Sequence, residues 1–221
     1  MTSNKQTPIP RQYAGRTAEQ RVGERRGRLF EAALQLYGTQ GYASTSIEQL
    51  CSAAAISMRS FYQEMGSREK LLIALADDIT GRATAAAFER LAALSNAAFA
   101  DRITAGFRAY LAVTCTDPRT ARVCYIEVVG VSTAVEEWRG RWRGNIGALV
   151  QAEAEQAVAR GEARDRDYRL FAIAVIGAVN SLAQELARGD REPEPQVTLP
   201  SICAEITSLV IAGVAPEPAA P

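Results

Sequence analysis

Histidine is absent from this 221-residue sequence. The missing imidazole removes the side chain that most often acts as a general acid or base near neutral pH, and it removes the commonest protein ligand of zinc. It also excludes nucleophilic pairs in which histidine activates serine or cysteine. Acidic residues form no compensating cluster. The sequence therefore favours a protein that is not an enzyme, and we expect no catalytic residue.

Cysteine is scarce and scattered. The four residues are Cys51, Cys115, Cys124 and Cys203, and no two of them have CxxC spacing. Scattered cysteines without that spacing are typical of buried, reduced thiols rather than of a zinc site or a disulfide framework. We therefore expect neither a metal site nor a cofactor.

Long apolar runs are missing as well. No uninterrupted apolar stretch approaches the length of about 18 residues that a membrane-spanning helix needs. The first residues, MTSNKQTPIPRQ, lack the apolar core of a secretion signal. The sequence predicts a cytoplasmic protein that has no membrane partner.

Strand-like alternation is sparse, whereas alanine, leucine, arginine, glutamate and glutamine dominate long stretches with helical periodicity. Apolar residues make up 48% of the chain, which is enough to bury a core. The prediction is an all-α chain of about nine helices.

Basic and acidic residues balance at 25 each, but the basic ones are concentrated at the beginning of the chain. Residues 1–30 contain seven basic side chains against two acidic ones. Pro8, Pro10 and Gly15 disfavour regular structure in the first part of this segment. Residues 1–20 are predicted to be a disordered basic arm, either a solvated tail or an arm that contacts phosphates.

Three helical patterns follow within residues 21–66, and the second and third are short. Thr45 or Ser46 caps the second helix, while Ser57 caps a third that ends at Gly66. Isolated helices this short are marginal in water, so they must pack against their longer neighbours. Two short helices joined by a turn of about three residues, with a polar outer face, are typical of a helix-turn-helix. The same spacing also fits an ordinary corner of a helical bundle.

A family resemblance extends over residues 32–72, AALQLYGTQGYASTSIEQLCSAAAISMRSFYQEMGSREKLL. The matching features are the Ala-Ala-Leu run, Gly41-Tyr42, Thr45-Ser46-Ile47, Leu50, Ala53-Ala54, Ile56-Ser57, Phe61-Tyr62, and Ser67-Arg68-Glu69 followed by Leu71. This pattern resembles the DNA-binding head of the TetR (tetracycline-repressor-like) transcriptional regulators. The resemblance implies a helix-turn-helix head over residues 21–66, a helical effector-binding and dimerisation domain over residues 67–215, and a disordered tail over residues 216–221.

The resemblance also assigns DNA-binding positions in the head. Those that match the family's pattern, or that lie beside matching positions on the same helices, are Thr45, Ser46, Glu48, Ser57, Met58, Arg59, Ser60, Tyr62, Gln63, Arg68 and Lys70. Chemically, Arg59 can donate two hydrogen bonds to guanine and Gln63 can pair with adenine. Tyr62 and Arg68 fit phosphate contacts that set the register. The alternatives are a solvated face for Arg59 and Gln63 and a half-buried packing role for Tyr62.

Several residues depart from the family's usual pattern. Ala55 stands where the turn normally has glycine, and a positive φ there would cost alanine roughly 1 kcal/mol. Arg59 replaces a small residue, Glu64 a common histidine, and Met65 a usual phenylalanine. A glutamate at position 64 would repel a nearby phosphate. These departures prevent a prediction of the operator sequence.

The helices of the second domain are less sharply marked. We expect residues 67–94 to be helical with a break at Gly81, a helix capped by Asp101, and another that starts at Asp117 and Pro118. A long amphipathic helix should then end near Gly161. The last two helices are the most apolar, and the sequence GDREPEPQ connects them.

Aromatic residues with polar tips or polar neighbours mark the middle of this domain. A mostly apolar pocket with few polar groups suits a small molecule, and the resemblance places an effector there. The candidate ligand-binding residues are Phe107, Tyr110, Tyr125, Glu127, Trp138, Trp142 and Phe171. Glu127 is the candidate orienting group, although a surface or dimer-rim charge is the alternative. Aromatic stripes at helical spacing are also typical of an ordinary core.

The two apolar stripes of the last helices provide the candidate dimer contacts, because the resemblance implies a four-helix bundle between two copies. The residues are Val175, Val179, Leu182, Leu186, Ile202, Ile206 and Leu209. Burial within one chain is the alternative. A two-fold dimer would place two recognition helices on a pseudo-palindromic operator.

The combined prediction is a homodimeric repressor that binds double-stranded DNA and that a small-molecule effector, bound in the second domain, releases from its operator. The alternatives are an activator or a regulator without a ligand, and a helical enzyme or ligand carrier that retains the head only as a scaffold.

Overall fold

The computed structural model describes residues 18–189 and 197–215. Over these residues it contains nine α-helices, one π-helical segment and no strand, which confirms the predicted all-α fold. The helices are α1 (Ala18–Thr39), α2 (Ile47–Ala54), α3 (Met58–Glu64), α4 (Arg68–Ala93), α5 (Phe99–Cys115), α6 (Pro118–Arg122), α7 (Thr133–Ala159), α8 (Arg169–Arg188) and α9 (Leu199–Val214), and the π-helical segment is Val123–Glu127. Most of the predicted basic arm, most of GDREPEPQ, and the predicted tail lie outside the described residues.

Hydroxyl side chains start most of these helices. Ser46, Ser57, Ser67 and Ser132 each accept a hydrogen bond from the backbone N–H three residues later, which satisfies a donor that the helix itself leaves unpaired. Ser46 rather than Thr45 caps α2, and Gln49 returns the hydrogen bond to complete a capping box. The predicted starts of α2, α3 and α4 are therefore confirmed.

Two predicted features of the second domain are wrong. α4 continues through Gly81 without a break, because its buried face, including Ile79 and Ala83, is anchored on both sides of the glycine. Asp101 does not cap α5, which begins at Phe99, so Asp101 lies in the first turn of the helix. Asp117 does cap α6, but that helix lasts five residues and continues into the π-helical segment.

The head consists of α1, α2 and α3, packed on the first turns of α4. Leu29, Tyr37, Leu50 and Phe61 are fully buried and bring the three helices together. Burying one such side chain contributes about 1.5–3 kcal/mol, which is why helices of seven and eight residues persist here. α3 thereby presents its opposite face to solvent.

The body consists of α4 to α9 around a second set of buried residues. α4 and α5 pack side by side, and α7, α8 and α9 complete the bundle. The head meets the body where α1 lies on α6. A Cβ added at Gly38 would come within 2.8 Å of the Arg119 Cα, so a glycine is needed at this close approach.

α8 is more apolar than expected, because the sequence predicted no stretch that could span a membrane. By length and composition it could cross a membrane, because its few polar residues do not interrupt it enough to exclude a span. Ala172, Val175, Ile176, Val179 and Ala183 are nevertheless buried against the body. α8 is therefore a core helix of the bundle, with an opposite face that remains apolar and exposed.

Candidate functional site

The turn between α2 and α3 consists of Ala55, Ile56 and Ser57. Ala55 has φ 52° and ψ 51°, and it is the one non-glycine residue with positive φ in the described ranges. Its backbone N–H caps the end of α2 by donating toward the carbonyls of Cys51 and Ser52. The backbone at this position is therefore left-handed, and alanine bears a steric cost there that glycine would not.

The face of α3 that points away from the head is polar and open. Ser57, Arg59, Tyr62 and Gln63 are exposed, with Tyr62 at 52%. Tyr62 stands edge-to-face against Phe61, with ring centroids 5.7 Å apart, so its ring is held upright by the core. This arrangement can place a guanidinium, an amide and a phenol on one side of the head.

The other predicted DNA-binding residues vary in exposure. Glu48 and Lys70 are exposed, whereas Ser46, Met58 and Ser60 are half-buried. The Ser60 and Ser57 hydroxyls are 2.9 Å apart and hydrogen bond to each other. These residues surround the start of α3 and stay candidates for contact with DNA.

Two predicted DNA-binding residues have structural roles instead. Thr45 is fully buried and its hydroxyl donates to the Gly41 carbonyl at 2.7 Å, so the expectation that it reaches phosphate is wrong. The Arg68 guanidinium donates to the Thr45 carbonyl and lies 4.3 Å from the centre of the Tyr42 ring. Arg68 therefore braces the turn before α2, with only part of its guanidinium left for a phosphate.

The replacement of a histidine by Glu64 implied a negative charge that would repel DNA. The structure shows that this charge is paired within the head. The Glu64 carboxylate is half-buried and forms an ion pair with Arg25 of α1. Arg28, one turn along α1, donates to the Ala54 carbonyl at 2.9 Å. Some of the basic residues near the chain start therefore hold α1 against α2 and α3.

A narrow apolar cavity lies in the body between α4, α5, α7 and α8. Its volume is about 60 Å³. Three of the predicted ligand-binding residues, Phe107, Tyr110 and Trp142, line it. The full set of lining residues is Thr84, Ala87, Leu91, Ile103, Gly106, Phe107, Tyr110, Trp142, Ile146, Leu149, Val150, Glu153, Val175, Ile176 and Val179.

One end of this cavity is closed by a buried ion pair that sequence reasoning missed. Arg102 of α5 is 2% exposed and donates to the Glu153 carboxylate, with a second, longer hydrogen bond to Gln156. The Nε and one terminal nitrogen of Arg102 have no hydrogen-bond partner among the described residues. Removing one member of such a pair costs about 3–5 kcal/mol because the other charge is left buried. Arg102 lies at helical spacing between Phe99 and Gly106 on the buried face of α5, and this spacing was a signal that could have indicated it.

Tyr125 and Trp138 lie beside a smaller cavity of about 10 Å³ rather than in the apolar one. The Tyr125 hydroxyl donates to Thr114 at 2.9 Å, and the Trp138 indole N–H donates to Asp77 at 2.9 Å. Burial raises the pKa of both the Tyr110 and Tyr125 hydroxyls. Both tyrosines therefore remain neutral. Trp142 lines both cavities, and its indole N–H has no hydrogen-bond partner in the described structure.

Glu127 does not line the apolar cavity, so the prediction that it orients an effector there is wrong. Its carboxylate accepts from the Tyr42 backbone N–H at 2.6 Å and from the Arg122 guanidinium at 2.7 Å. Arg122 in turn donates to the Thr39 carbonyl at 2.9 Å. Glu127 and Arg122 therefore connect the body to the segment between α1 and α2.

Phe171 is also misplaced by the prediction. Its ring packs against the Gly213 backbone of α9 and stands edge-to-face to Tyr168, with centroids 5.6 Å apart. It lines a shallow groove between α8 and α9 rather than the apolar cavity. The ring thus joins the last two helices.

Four of the predicted dimer residues belong to the chain's own core. Val175, Val179, Ile202 and Ile206 are at most 7% exposed, so the alternative of burial within one chain is correct for them. Leu182 and Leu186 are half-buried, and Leu209 is 48% exposed. The most exposed large apolar side chains of α8 are Leu170 and Ile173, which sequence reasoning missed because the core stripe is more apolar.

The four cysteines are buried free thiols, as predicted. Burial raises the pKa of all four thiols, which opposes formation of the reactive thiolate. Among the described residues no group of three or more histidine, cysteine, aspartate or glutamate side chains is placed to hold a metal ion.

Comparison with known proteins agrees with this geometry. Residues 29–75 match the profile "Bacterial regulatory proteins, tetR family", and residues 100–213 match "Tetracyclin repressor-like, C-terminal domain". The HTH-type transcriptional regulator EthR of Mycolicibacterium smegmatis is 27% identical over 196 residues, covering 87% of each chain.

Solved structures share the fold at low identity. The transcriptional regulator FadR from Bacillus subtilis, in complex with stearoyl-CoA, has a TM-score of 0.74 at 14% identity and covers 85% of this chain and 98% of its own. AibR, in complex with isovaleryl coenzyme A and operator DNA, has a TM-score of 0.63 at 18% identity and covers 84% of this chain and 97% of its own. The two profiles together span most of the chain, with the head and the body in the expected order. The chain belongs to the TetR family of bacterial regulatory proteins, and it is a DNA-binding transcriptional regulator rather than an enzyme.

Proposed function

We propose that this regulator is a homodimeric repressor that a small molecule, bound in the body, releases from a pseudo-palindromic operator. One observation carries the proposal. The chain combines an exposed, polar α3 with an apolar cavity, and α4 joins the cavity to the head. α4 begins where the head ends and lines the cavity with Thr84, Ala87 and Leu91, so this combination supports a switch rather than a binding module alone.

The DNA contacts would come from the exposed side of the head. Arg59 and Gln63 would enter the major groove and contact base edges, while Tyr62 and Lys70 would contact phosphates. Ser46, Glu48, Ser57, Met58 and Ser60 surround them as further candidate contacts. Arg68 would act mainly by bracing the turn before α2, and Thr45 has no direct role in this proposal.

The dimer would form through the outer faces of α8 and α9. Leu170, Ile173 and Leu209 are 67%, 58% and 48% exposed, which is unusual for large apolar side chains in a bundle. Ala174 and Gly177 beside them are small and exposed, so a helix of a second copy could approach closely. Leu182 and Leu186 would extend the contact at its edge. A two-fold axis through this face would place two copies of α3 on one side of the dimer.

The effector would bind in the cavity between α4, α5, α7 and α8. Space of about 60 Å³ holds only a few water molecules, so a larger ligand must displace lining side chains. That requirement suits a switch, because only a ligand with different affinities for two conformations can shift their populations. FadR and AibR bind acyl-CoA molecules, which supports an apolar chain as part of the effector.

The route from cavity to head would run through the π-helical segment. Tyr125 of this segment lies beside the small cavity that shares Trp142 with the apolar one, and Glu127 two residues later holds the Tyr42 backbone. π-helical segments are frequent at functional sites and are one place where a helix can change its register. A ligand that displaces Trp142 would therefore strain the contact that positions α2 and α3. We place this regulator in the cytoplasm, where its operator is.

The testing experiment measures binding to DNA from upstream of the protein's own gene, with and without a broad panel of small apolar compounds. Tight, salt-sensitive binding that at least one compound weakens is the expected result. Analytical ultracentrifugation should give a dimer at micromolar concentration. Absence of binding to this DNA would refute the repressor function. An operator affinity that no compound of the panel changes would refute only the release by an effector.

A further inference from the structure

We infer that α1 carries a second DNA-binding surface, the α1 arginine face, which consists of Arg21, Arg25 and Arg28. It contacts backbone phosphates on the side of α3 opposite to Tyr62. This inference rests on the proposed position of α3 in the major groove, and it adds a contact that orients the head without reading bases. Three observations carry it: the alignment of the arginines, the ion pair between Arg25 and Glu64, and the geometry of the groove.

The three arginines lie on one side of α1, and that side meets the helix-turn-helix. Positions 21, 25 and 28 are four and three residues apart, which places them within about 60° of one another around the helix axis. The Arg25 guanidinium pairs with Glu64 at the end of α3, and the Arg28 Nε donates to the Ala54 carbonyl at the end of α2. Arg21 continues the same side of α1 for one more turn.

The α1 arginine face has donors available for phosphates. Arg21 and Arg28 are exposed, and 33% of the Arg25 side chain is exposed. Arg25 and Arg28 use Nε for their contacts, and within residues 18–189 and 197–215 no hydrogen bond from their terminal nitrogens is present. Residues 21–28 contain four arginines and a single acidic residue, Glu24, so the surface is strongly positive. Arginine binds phosphates through paired N–H donors, which favours the DNA backbone as its partner.

The ion pair with Arg25 keeps the negative charge of Glu64 away from DNA. The Glu64 side chain is 10% exposed, and its Oε2 is buried without a hydrogen-bond partner among the described residues. Arg25 is the more exposed of the two side chains, so a DNA strand that approaches from solvent meets the guanidinium first. Glu64 is therefore a positioning residue. It accepts from the Arg25 Nε and leaves the two terminal nitrogens for a phosphate.

The geometry of a major groove requires phosphate contacts on both sides of α3. Tyr62 and Glu64 are two positions apart, which places them on nearly opposite sides of α3, about 160° apart around its axis. An α-helix with its side chains is about 10–12 Å across and the major groove is about 12 Å wide, so each side of α3 lies close to one backbone. Tyr62 contacts the backbone on its side. On the Glu64 side, the α1 arginine face supplies the donors that an unpaired carboxylate could not.

The test measures how affinity for DNA from upstream of the protein's own gene depends on salt concentration. The first variant combines Arg25→Gln with Glu64→Gln, so the arginine is removed together with its partner and the net charge of the protein stays the same. We expect the slope of log K against log salt to become shallower by about 2 per dimer, because each copy loses one phosphate contact. A general electrostatic effect of net charge would leave the slope unchanged.

A second variant, Arg21→Gln, has a matched control on the same helix. Arg21 forms no hydrogen bond or ion pair within the described ranges, so this variant should fold normally, and it decides the test if the first variant does not fold. Its slope should also become shallower by about 2 per dimer. The control is Arg26→Gln, which makes the same charge change outside the α1 arginine face, where Arg26 lies 5.0 Å from the centre of the Phe30 ring. The control should keep the slope within about 0.5 of the unmodified value.

Ethylation of single phosphates locates the same contacts on the DNA. With the unmodified protein, ethylation should interfere with binding on both sides of each half-site. Both variants should lose interference on one side only, while guanine N7 atoms in the major groove stay protected. Unchanged slopes and unchanged interference in the two variants would overturn the inference, as would an equal loss in the Arg26→Gln control. Those results would leave the proposed function intact, whereas an unmodified protein that binds none of this DNA would refute the proposed function itself.

Discussion

The head and the body of this regulator bury apolar side chains in the same way, yet their functional residues differ in how they are determined. In the head, exposure follows directly from two short helices packed on longer neighbours, so Arg59 and Tyr62 face solvent. In the body, function depends on which long helices face each other. Nearly the same sequence pattern there can place a side chain in a cavity, between two helices or against a second copy of the chain.

This difference shows that the position of a short capped helix is determined mainly by its own residues. The position of a long apolar helix is determined by the helices that it packs against. α3 needs Ser57 at its start and Phe61 in the core, and both constraints are local. α8 is apolar nearly all round, so its core face and its outward face cannot be separated by composition. Substitutions in the two regions should therefore have effects of different kinds.

The largest expected effect belongs to the exposed face of the head. Arg59→Ala should weaken operator binding by about thirtyfold or more, because two copies would each lose a contact of about 1–3 kcal/mol. Fluorescence anisotropy with labelled duplex measures this loss. Arg160→Ala, which removes an exposed arginine from the body, should leave affinity within about twofold. Equal losses in the two variants would mean that general charge, not position on α3, controls binding.

A second comparison concerns glycines in the two regions. Gly38→Ala should destabilise the fold by about 2 kcal/mol, because the new Cβ would collide with Arg119 where the head meets the body. Gly81→Ala has open space around it within α4 and should stabilise by about 0.5–1 kcal/mol. Urea unfolding measures both. The same sign in the two variants would contradict the close packing of α1 on α6.

The connection between the regions can be broken without touching either site. Glu127→Gln keeps an oxygen that accepts from Tyr42 but loses the ion pair with Arg122, which should cost about 1–2 kcal/mol of stability. Operator affinity should change little, whereas release by an effector should become weaker. Glu185→Gln, which breaks an exposed pair with Arg188, is the matched control. Normal release in the Glu127 variant would exclude the proposed route.

The smallest expected effect concerns the backbone conformation of Ala55 in the turn between α2 and α3. Ala55→Gly should stabilise the protein by about 1 kcal/mol, since glycine adopts the left-handed conformation without a steric cost. Ala53→Gly, two residues earlier and inside α2, should destabilise it by a similar amount. Thermal unfolding of both variants is sufficient, and a destabilised Ala55 variant would show that φ at this position is not strained.

The parts that sequence reasoning predicted correctly depend on contacts between near neighbours. The caps at Ser46, Ser57 and Ser67 all follow from residues within one helical turn. The family resemblance placed Thr45 among the DNA-binding residues, but its hydroxyl donates to the Gly41 carbonyl inside the head. A match to a family position does not show whether the threonine is buried or exposed in this chain.

The parts that were predicted wrongly depend on distant partners. Glu127 looks like a carboxylate inside an apolar stretch, and its partner Tyr42 lies 85 residues away. The apolar stripe containing Val175 and Val179 fits a dimer interface and a core equally well, and only the packing of α8 on α5 and α7 decides. No local signal specifies these contacts.

Methylation protection of guanine N7 tests the central claim most directly, because it reports contact in the major groove base by base. On DNA from upstream of its own gene, the unmodified protein should protect guanines in two symmetric half-sites, and Arg59→Ala should lose that protection at concentrations where it still occupies the site. Protection that is absent in the unmodified protein, or unchanged in the Arg59 variant and in a Gln63→Ala variant alike, would contradict the account of α3 as the reading helix.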